Sequence, residues 1–165
     1  MNDLIVFANG SYGNINAESK GVELALEANW VHGLRGRVSY TYQDAQNQST
    51  SQSLPDSPEN LVKLNLSVPV YKEKIFASLE YLYTGSRGTF YTSTSGQTIP
   101  GSDIDGFSVL NFTLFSQNLF KNLECSASVY NLLDHSYSDP ATGIHAQSEI
   151  PQDGRTFRVK LTYRF

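Results

Sequence analysis

Few residues in this chain are of types that do chemistry, and those few are scattered. His135 and His145, with Asp134 and Asp139, are donors of the kind that ligate transition metals. Their irregular spacing and the lack of a cysteine partner point away from a metal centre, so neither a metal nor any other cofactor is expected. The single cysteine, Cys125, excludes an internal disulfide and any multi-cysteine site. It falls on the apolar side of its segment, where a small packed or lipid-facing residue is expected rather than a reactive thiol. The chain has no GxSxG or HExxH pattern and no glycine loop suited to cradling phosphate. An enzyme is therefore not expected. What remains is a set of ionic residues of both signs, among them Glu23, Glu27, Glu80, Glu124, Arg35, Arg37, Lys63, Arg158, Lys160 and Arg164. They recur at alternate positions, and that alternation leads to the elements that carry them.

Side chains on a strand point to opposite faces in turn. In the terminal segment TFRVKLTYRF, Phe157, Val159, Leu161, Tyr163 and Phe165 share one face, while Thr156, Arg158, Lys160, Thr162 and Arg164 share the other. The same period recurs along the chain. Val22, Leu24, Leu26, Ala28 and Trp30 oppose Glu23, Ala25, Glu27 and Asn29; Leu34, Val38, Tyr40 and Tyr42 oppose Arg35, Arg37, Ser39, Thr41 and Gln43. Val62, Leu64, Leu66, Val68 and Val70 oppose Lys63, Asn65 and Ser67, and Ile75, Ala77, Leu79, Tyr81 and Tyr83 oppose Ser78, Glu80 and Thr84. Leu110, Phe112 and Leu114 oppose Asn111 and Thr113, and Cys125, Ala127 and Val129 oppose Glu124, Ser126 and Ser128. These segments make seven strands. The short, non-alternating run from Leu4 to Ala8 is read as the tail of an eighth.

The connections carry a second signal. Three are short, at 31–34, 71–74 and 118–122; three are long and polar, at 44–59, 85–105 and 134–154. They alternate strictly, which in an up-and-down antiparallel sheet puts every short turn at one end and every long loop at the other. Outer-membrane barrels have this asymmetry. Tyr40, Tyr42, Tyr81 and Tyr83 approach the long-loop ends of their strands, with Trp30, Tyr163 and Phe165 at the opposite ends, as in two interfacial aromatic girdles. Glu27 and Arg37 flank the first tight turn on the polar face, near enough to oppose or sit diagonally. The expected fold is all-β: an antiparallel up-and-down transmembrane β-barrel segment of about seven to eight strands. The ionic face then reads as a hydrated barrel wall.

Bulk properties fit. The 165 residues carry a net charge of −4 and no basic cluster, so no nucleic-acid partner is expected. No apolar run approaches the roughly 18 residues of a spanning helix, and a mean hydropathy of −0.33 is no objection to strands that alternate. The opening MNDLIVFANG lacks the basic region and apolar length of a secretion leader, Asp3 standing where a cation belongs.

With these residues assembled, the whole chain resembles the C-terminal part of the barrel of a TonB-dependent receptor, an outer-membrane transporter of siderophores, cobalamin and similar scarce ligands. The stretches that carry the likeness are GVELALEANW from Gly21, SYTYQDA from Ser39, LPDSPENLVKLNL from Leu54, YTGSR from Tyr83, ASVYNLLDHSYSDP from Ala127 and IPQDGRTFRVKLTYRF from Ile150. The resemblance implies a barrel of about 22 strands with a plugged lumen, of which residues 1–165 supply about a third. The plug domain and the N-terminal strands are expected to be absent. Partners implied are outer-membrane lipid, the barrel-assembly machinery, a small-molecule ligand such as a siderophore, and the TonB energy-coupling complex through the missing plug segment. The location implied is the outer membrane of a Gram-negative cell. In the family, ligands meet extracellular loops, which by position singles out Tyr91, Asp103, His135, Asp139 and His145. Leu161, Tyr163 and Phe165 resemble the terminal signal read by the assembly machinery.

Two rival readings predict different structures. A self-contained eight-stranded barrel with a structural or adhesion role closes through Leu4–Ala8. A soluble β-sandwich covers the apolar face with a second sheet.

Overall fold

Alternation is realised as a single layer. A computed structural model of the chain describes residues 4–8, 11–72, 74–141 and 145–165. Chain order gives β1 (Leu4–Ala8), β2 (Ser11–Ile15), β3 (Ala17–Asn29), β4 (Arg35–Asn47), β5 (Asn60–Tyr71), β6 (Ile75–Thr84) and β7 (Phe90–Thr92). Then come β8 (Thr98–Pro100), β9 (Phe107–Phe120), β10 (Leu123–Tyr130), β11 (Ser138–Pro140), β12 (Glu149–Pro151) and β13 (Thr156–Tyr163). Among the described residues the one helical piece is a 3-10 turn at Val31–Gly33, where His32 and Gly33 adopt positive φ (66° and 83°). Residues 1–3, including Asp3, lie outside the described residues.

The seven long strands form one antiparallel sheet in the order β3-β4-β5-β6-β9-β10-β13. Each is paired with its predecessor among the long strands, as the alternating connections require. β3 and β4 run further than the polarity of their ends foretells, because loop-side backbone keeps pairing: Ala17 still partners Asn47. The second and third long loops contain ribbons of their own, β7 with β8 and β11 with β12.

The eighth strand is a correction. Leu4–Ala8 is a strand, but it pairs with β2 as a separate two-stranded ribbon, Leu4 opposite Ile15 and Ala8 opposite Ser11. Only two residues separate β1 from β2, and one, Asn16, separates β2 from β3, so the run turns back on its own continuation. Among the described residues β3 and β13 each have a single neighbour in the sheet. The sheet is open, and Leu4–Ala8 does not close it.

Cross-strand register lines the apolar residues into rows. One row runs Leu26, Val38, Leu64, Tyr81, Leu110; the next runs Ala28, Gly36, Leu66, Leu79, Phe112, Val129, Phe157. No second layer covers them among the described residues. Leu64, Leu79 and Leu114, in the middle of the sheet, remain 40%, 38% and 42% exposed. Total accessible surface is 11336 Å², against about 8,100 Å² for a compact soluble protein of this mass. The excess is what a wall one strand thick leaves uncovered.

The opposite face is less uniform than its sequence pattern. The row Glu27, Arg37, Asn65, Glu80, Asn111 is polar, with Glu27 directly opposite Arg37 and the Asn111 amide donating to Glu80 Oε2 at 2.8 Å. Nearer the short turns, however, Phe76 and Phe115 face each other on this side and stack at 5.1 Å. The Val31–Gly33 turn folds over them: a Cβ on Gly33 would lie 3.3 Å from the Phe76 ring. That cover buries Phe76, one of the few buried apolar side chains among the described residues.

Candidate ligand-facing loop site

Three long loops leave the same end of the sheet, at 48–59, 85–106 and 131–155. Each is shaped locally before it meets the others. In the first, Asn47 Oδ1 accepts from Ser49 N at 2.9 Å, and Ser51 and Asp56 take positive φ. The second folds back on itself: Thr89 Oγ1 donates to the Ser102 carbonyl at 2.7 Å, and Gly101 passes so close to Thr89 that any side chain there would collide with Oγ1.

The third loop is set by the residues of the NLLD and GRT stretches. Asn131 is almost fully buried, with φ of 50°, a conformation asparagine tolerates better than most residues. Its amide nitrogen donates to the His135 carbonyl (2.8 Å), its Oδ1 accepts from His135 N (2.9 Å), and its own N–H donates to Asn111 Oδ1 (2.9 Å). Asp134 Oδ1 accepts from Arg155 N at 2.8 Å. A Cβ on Gly154 would lie 2.8 Å from that oxygen, so glycine is what lets the two chain segments meet. These motif residues fasten the root of the loop to the start of β13.

Between the loops lies Arg87, 8% exposed. Its backbone pairs with Ile104 in both directions, at 3.1 and 2.9 Å, within the second loop. One terminal nitrogen donates to Asp56 Oδ1 of the first loop at 3.1 Å. The other donates to Asp139 Oδ1 at 2.7 Å and to the Ser138 carbonyl at 3.2 Å, both in the third. The guanidinium lies 5.4 Å from the centre of the Phe107 ring, and Phe107 stacks on Tyr137 at 4.2 Å. Burial, and then the nearby carboxylates Asp139 and Asp153, raise the Tyr137 phenol above its ordinary range, so it stays a neutral hydroxyl at physiological pH. Beside Arg87 opens a cleft of about 290 Å³, lined by Asp44, Pro55, Glu59, Thr89, Phe90 and Asp103 among others.

The positions expected from sequence fare differently. Asp139 binds Arg87 and Asp103 lines the cleft, so these two sit at the junction. Tyr91 lies on the β7–β8 ribbon opposite Ile99. His135 is held by its backbone to Asn131, and His145 is exposed in the third loop. Among the described residues no three His, Cys, Asp or Glu side chains gather as a metal would require. At the other end, Leu161 and Tyr163 are exposed on β13, and Tyr163 meets Phe165 edge to face at 5.2 Å. Sequence reasoning missed Arg87 and Asp56. A signal was available: Asp56, Arg87 and Asp139 all fall inside stretches that carry the family likeness, LPDSPEN, YTGSR and DHSYSDP.

An open antiparallel wall with one bare apolar face and long loops gathered at one end is the architecture of a barrel segment, and the comparisons agree. The chain belongs to the TonB dependent receptor-like β-barrel family, whose profile matches residues 1–132. Among solved structures it is similar to the copper transporter OprC, with a TM-score of 0.76 at 21% identity over 99% of this chain and 26% of that one. It is similar to the ferric-catecholate import receptor Fiu from E. coli K12, TM-score 0.73 at 20% identity over 99% of this chain and 24% of that one. It also resembles the ferripyoverdine receptor of the outer membrane of Pseudomonas aeruginosa, TM-score 0.72 at 16% identity over 92% of this chain and 20% of that one. At such identities the likeness concerns the fold. The chain spans between 20% and 26% of the length of these receptors. Comparison with curated protein sequences finds no match.

Proposed function

We propose that this chain is part of the barrel wall of a TonB-dependent uptake receptor in the outer membrane of a Gram-negative cell, serving the import of a scarce ligand such as an iron-siderophore or cobalamin. Residues 1–165 form the C-terminal portion of that barrel, and the plug that engages the TonB complex lies elsewhere. The three long loops face the ligand, with Asp103 and Asp139 at their junction and Tyr91, His135 and His145 around it. Leu161, Tyr163 and Phe165 form the terminal signal for the barrel-assembly machinery. The observation that carries the reading is the bare apolar face, seven strands wide. Acyl chains accept such a surface and water does not.

Facing is tested with single cysteines in the receptor that contains this chain, Cys125 being replaced by serine. In isolated outer membranes a sulfonated maleimide should label positions 63 and 78 and leave 64 and 79 unlabelled. Ready labelling at 64 and 79 overturns the membrane assignment. Uptake is tested separately, in a strain that depends on this receptor, by growth on ferric hydroxamates, ferric catecholates and cobalamin. Growth on none of them removes the cargo class.

A further inference from the structure

The three long loops depart from separate hairpins, yet one side chain touches all of them. Arg87 belongs to the second loop through its backbone pairing with Ile104. Its two terminal nitrogens diverge, one to Asp56 in the first loop and the other to Asp139 and the Ser138 carbonyl in the third. A planar guanidinium presents its two terminal nitrogens along fixed, separate directions, whereas an ammonium offers its donors from a single atom on a flexible stem. Because Arg87 is nine-tenths buried, water competes poorly for these bonds. The contacts around it reinforce the junction. Asp56 N donates to the Gly88 carbonyl at 3.1 Å, tying the first loop to the second by backbone as well. Phe107 lies under the guanidinium and stacks on Tyr137 of the third loop.

We propose that Arg87 is a positioning residue that locks the three loops into one preassembled surface, so that cargo meets a mouth already formed rather than ordering loops as it binds. The part about cargo rests on the uptake reading; the locking does not. Binding to a preformed surface avoids the entropy of ordering its loops. The geometry also assigns the labour: Asp56 secures only the first loop and Asp139 only the third, while Arg87 secures both.

That division supplies the test, made on the cargo-free receptor by amide hydrogen exchange. Arg87→Ala should speed exchange at least tenfold in both 48–59 and 134–141, with the amides of β5 and β6 unchanged as a control for the intact sheet. Asp56→Asn should speed only the first segment and Asp139→Asn only the second. Arg87→Lys, which keeps the charge and loses the fork, should fail to restore protection in both. The proposal is overturned if Arg87→Ala leaves 48–59 and 134–141 protected, or if these segments in the native protein already exchange as fast as in the variant. It also falls if the two carboxylate variants loosen both loops alike. Should Arg87→Ala not assemble, the two asparagine variants decide alone. Since no cargo is present, a failed uptake assay leaves the result unaffected, and the reverse holds.

Discussion

Substituting arginine at two adjacent positions of β6 separates the faces of the wall within one strand. Leu79 lies in the row Leu66, Leu79, Phe112 on the bare apolar face; Ser78 points the other way, between Ser67 and Thr113. From Ile75 to Tyr83 the strand advances about 27 Å at roughly 3.4 Å per residue. A tilt of about 40° leaves some 21 Å of height, close to the apolar band of about 25 Å in membrane barrels. Leu79 is midway along that stretch, four residues from Ile75 and four from Tyr83. Arginine there should cost about 2–4 kcal/mol, the midplane penalty. At Ser78, facing polar neighbours and water, the cost should be below about 1 kcal/mol, as for surface changes in general. The difference of roughly 2 kcal/mol is about a thirtyfold change in the folding equilibrium. Urea titration of the receptor folding into lipid vesicles, followed by tryptophan fluorescence, measures both. Equal costs at the two positions would refute the reasoning, because a sheet with water or protein on both sides has no midplane.

Two further outcomes concern the loop end. Asn131→Ala removes two side-chain bonds to the His135 backbone and forces alanine into positive φ, for an expected loss of about 2–3 kcal/mol from bonds worth about 1 kcal/mol each and the strain of the turn. Gly154→Ala, which pushes a methyl against Asp134 Oδ1, should destabilise the same root. Urea midpoints check both, and a change under about 0.5 kcal/mol for Asn131→Ala contradicts the fastening role. Tyr137 sets a pH dependence: its phenol ionises later in the folded protein than in the unfolded chain. Its contribution is therefore whole below the ordinary phenol range and falls away as pH rises through about 10 toward the higher folded value. Tyr137→Phe should flatten that alkaline decline in a pH series of melting temperatures; an unchanged decline excludes Tyr137 as its source.

How much of this was legible beforehand follows from the range of each interaction. Facing was readable because alternation is a local property: Leu64 and Lys63 announce opposite sides without reference to any other strand. The short and long connections were readable from their polarity. Leu4–Ala8 was misplaced since nothing in five apolar residues says whether they pair with a neighbour two residues on or with a distant edge. Phe76 and Phe115 broke the polar face for a non-local reason, the fold of the Val31–Gly33 turn across the sheet. The junction was hardest. Arg87 finds its partners 31 and 52 residues away, and a lone arginine between serine and glycine carries no periodicity to betray it. The NLLD and GRT stretches stood out only as a likeness; the bonds of Asn131 and Asp134 give the physical reason.

One irregularity near the short turns bears on how such a chain can change over generations. β5 pairs Pro69 with Phe76 and then Tyr71 with Ile75, leaving Val70 as an extra residue. Tyr71 thereby arrives on the side of Ile75, with the aliphatic rows, instead of beside Phe76. A single added residue has inverted everything beyond it, harmlessly, because almost no strand remains to be inverted. Mid-strand, the same insertion would send leucines to the polar face and lysines to the apolar one. Lineages carrying this wall are thus free to lengthen its loops by any number, but inside the strands they must gain and lose residues two at a time.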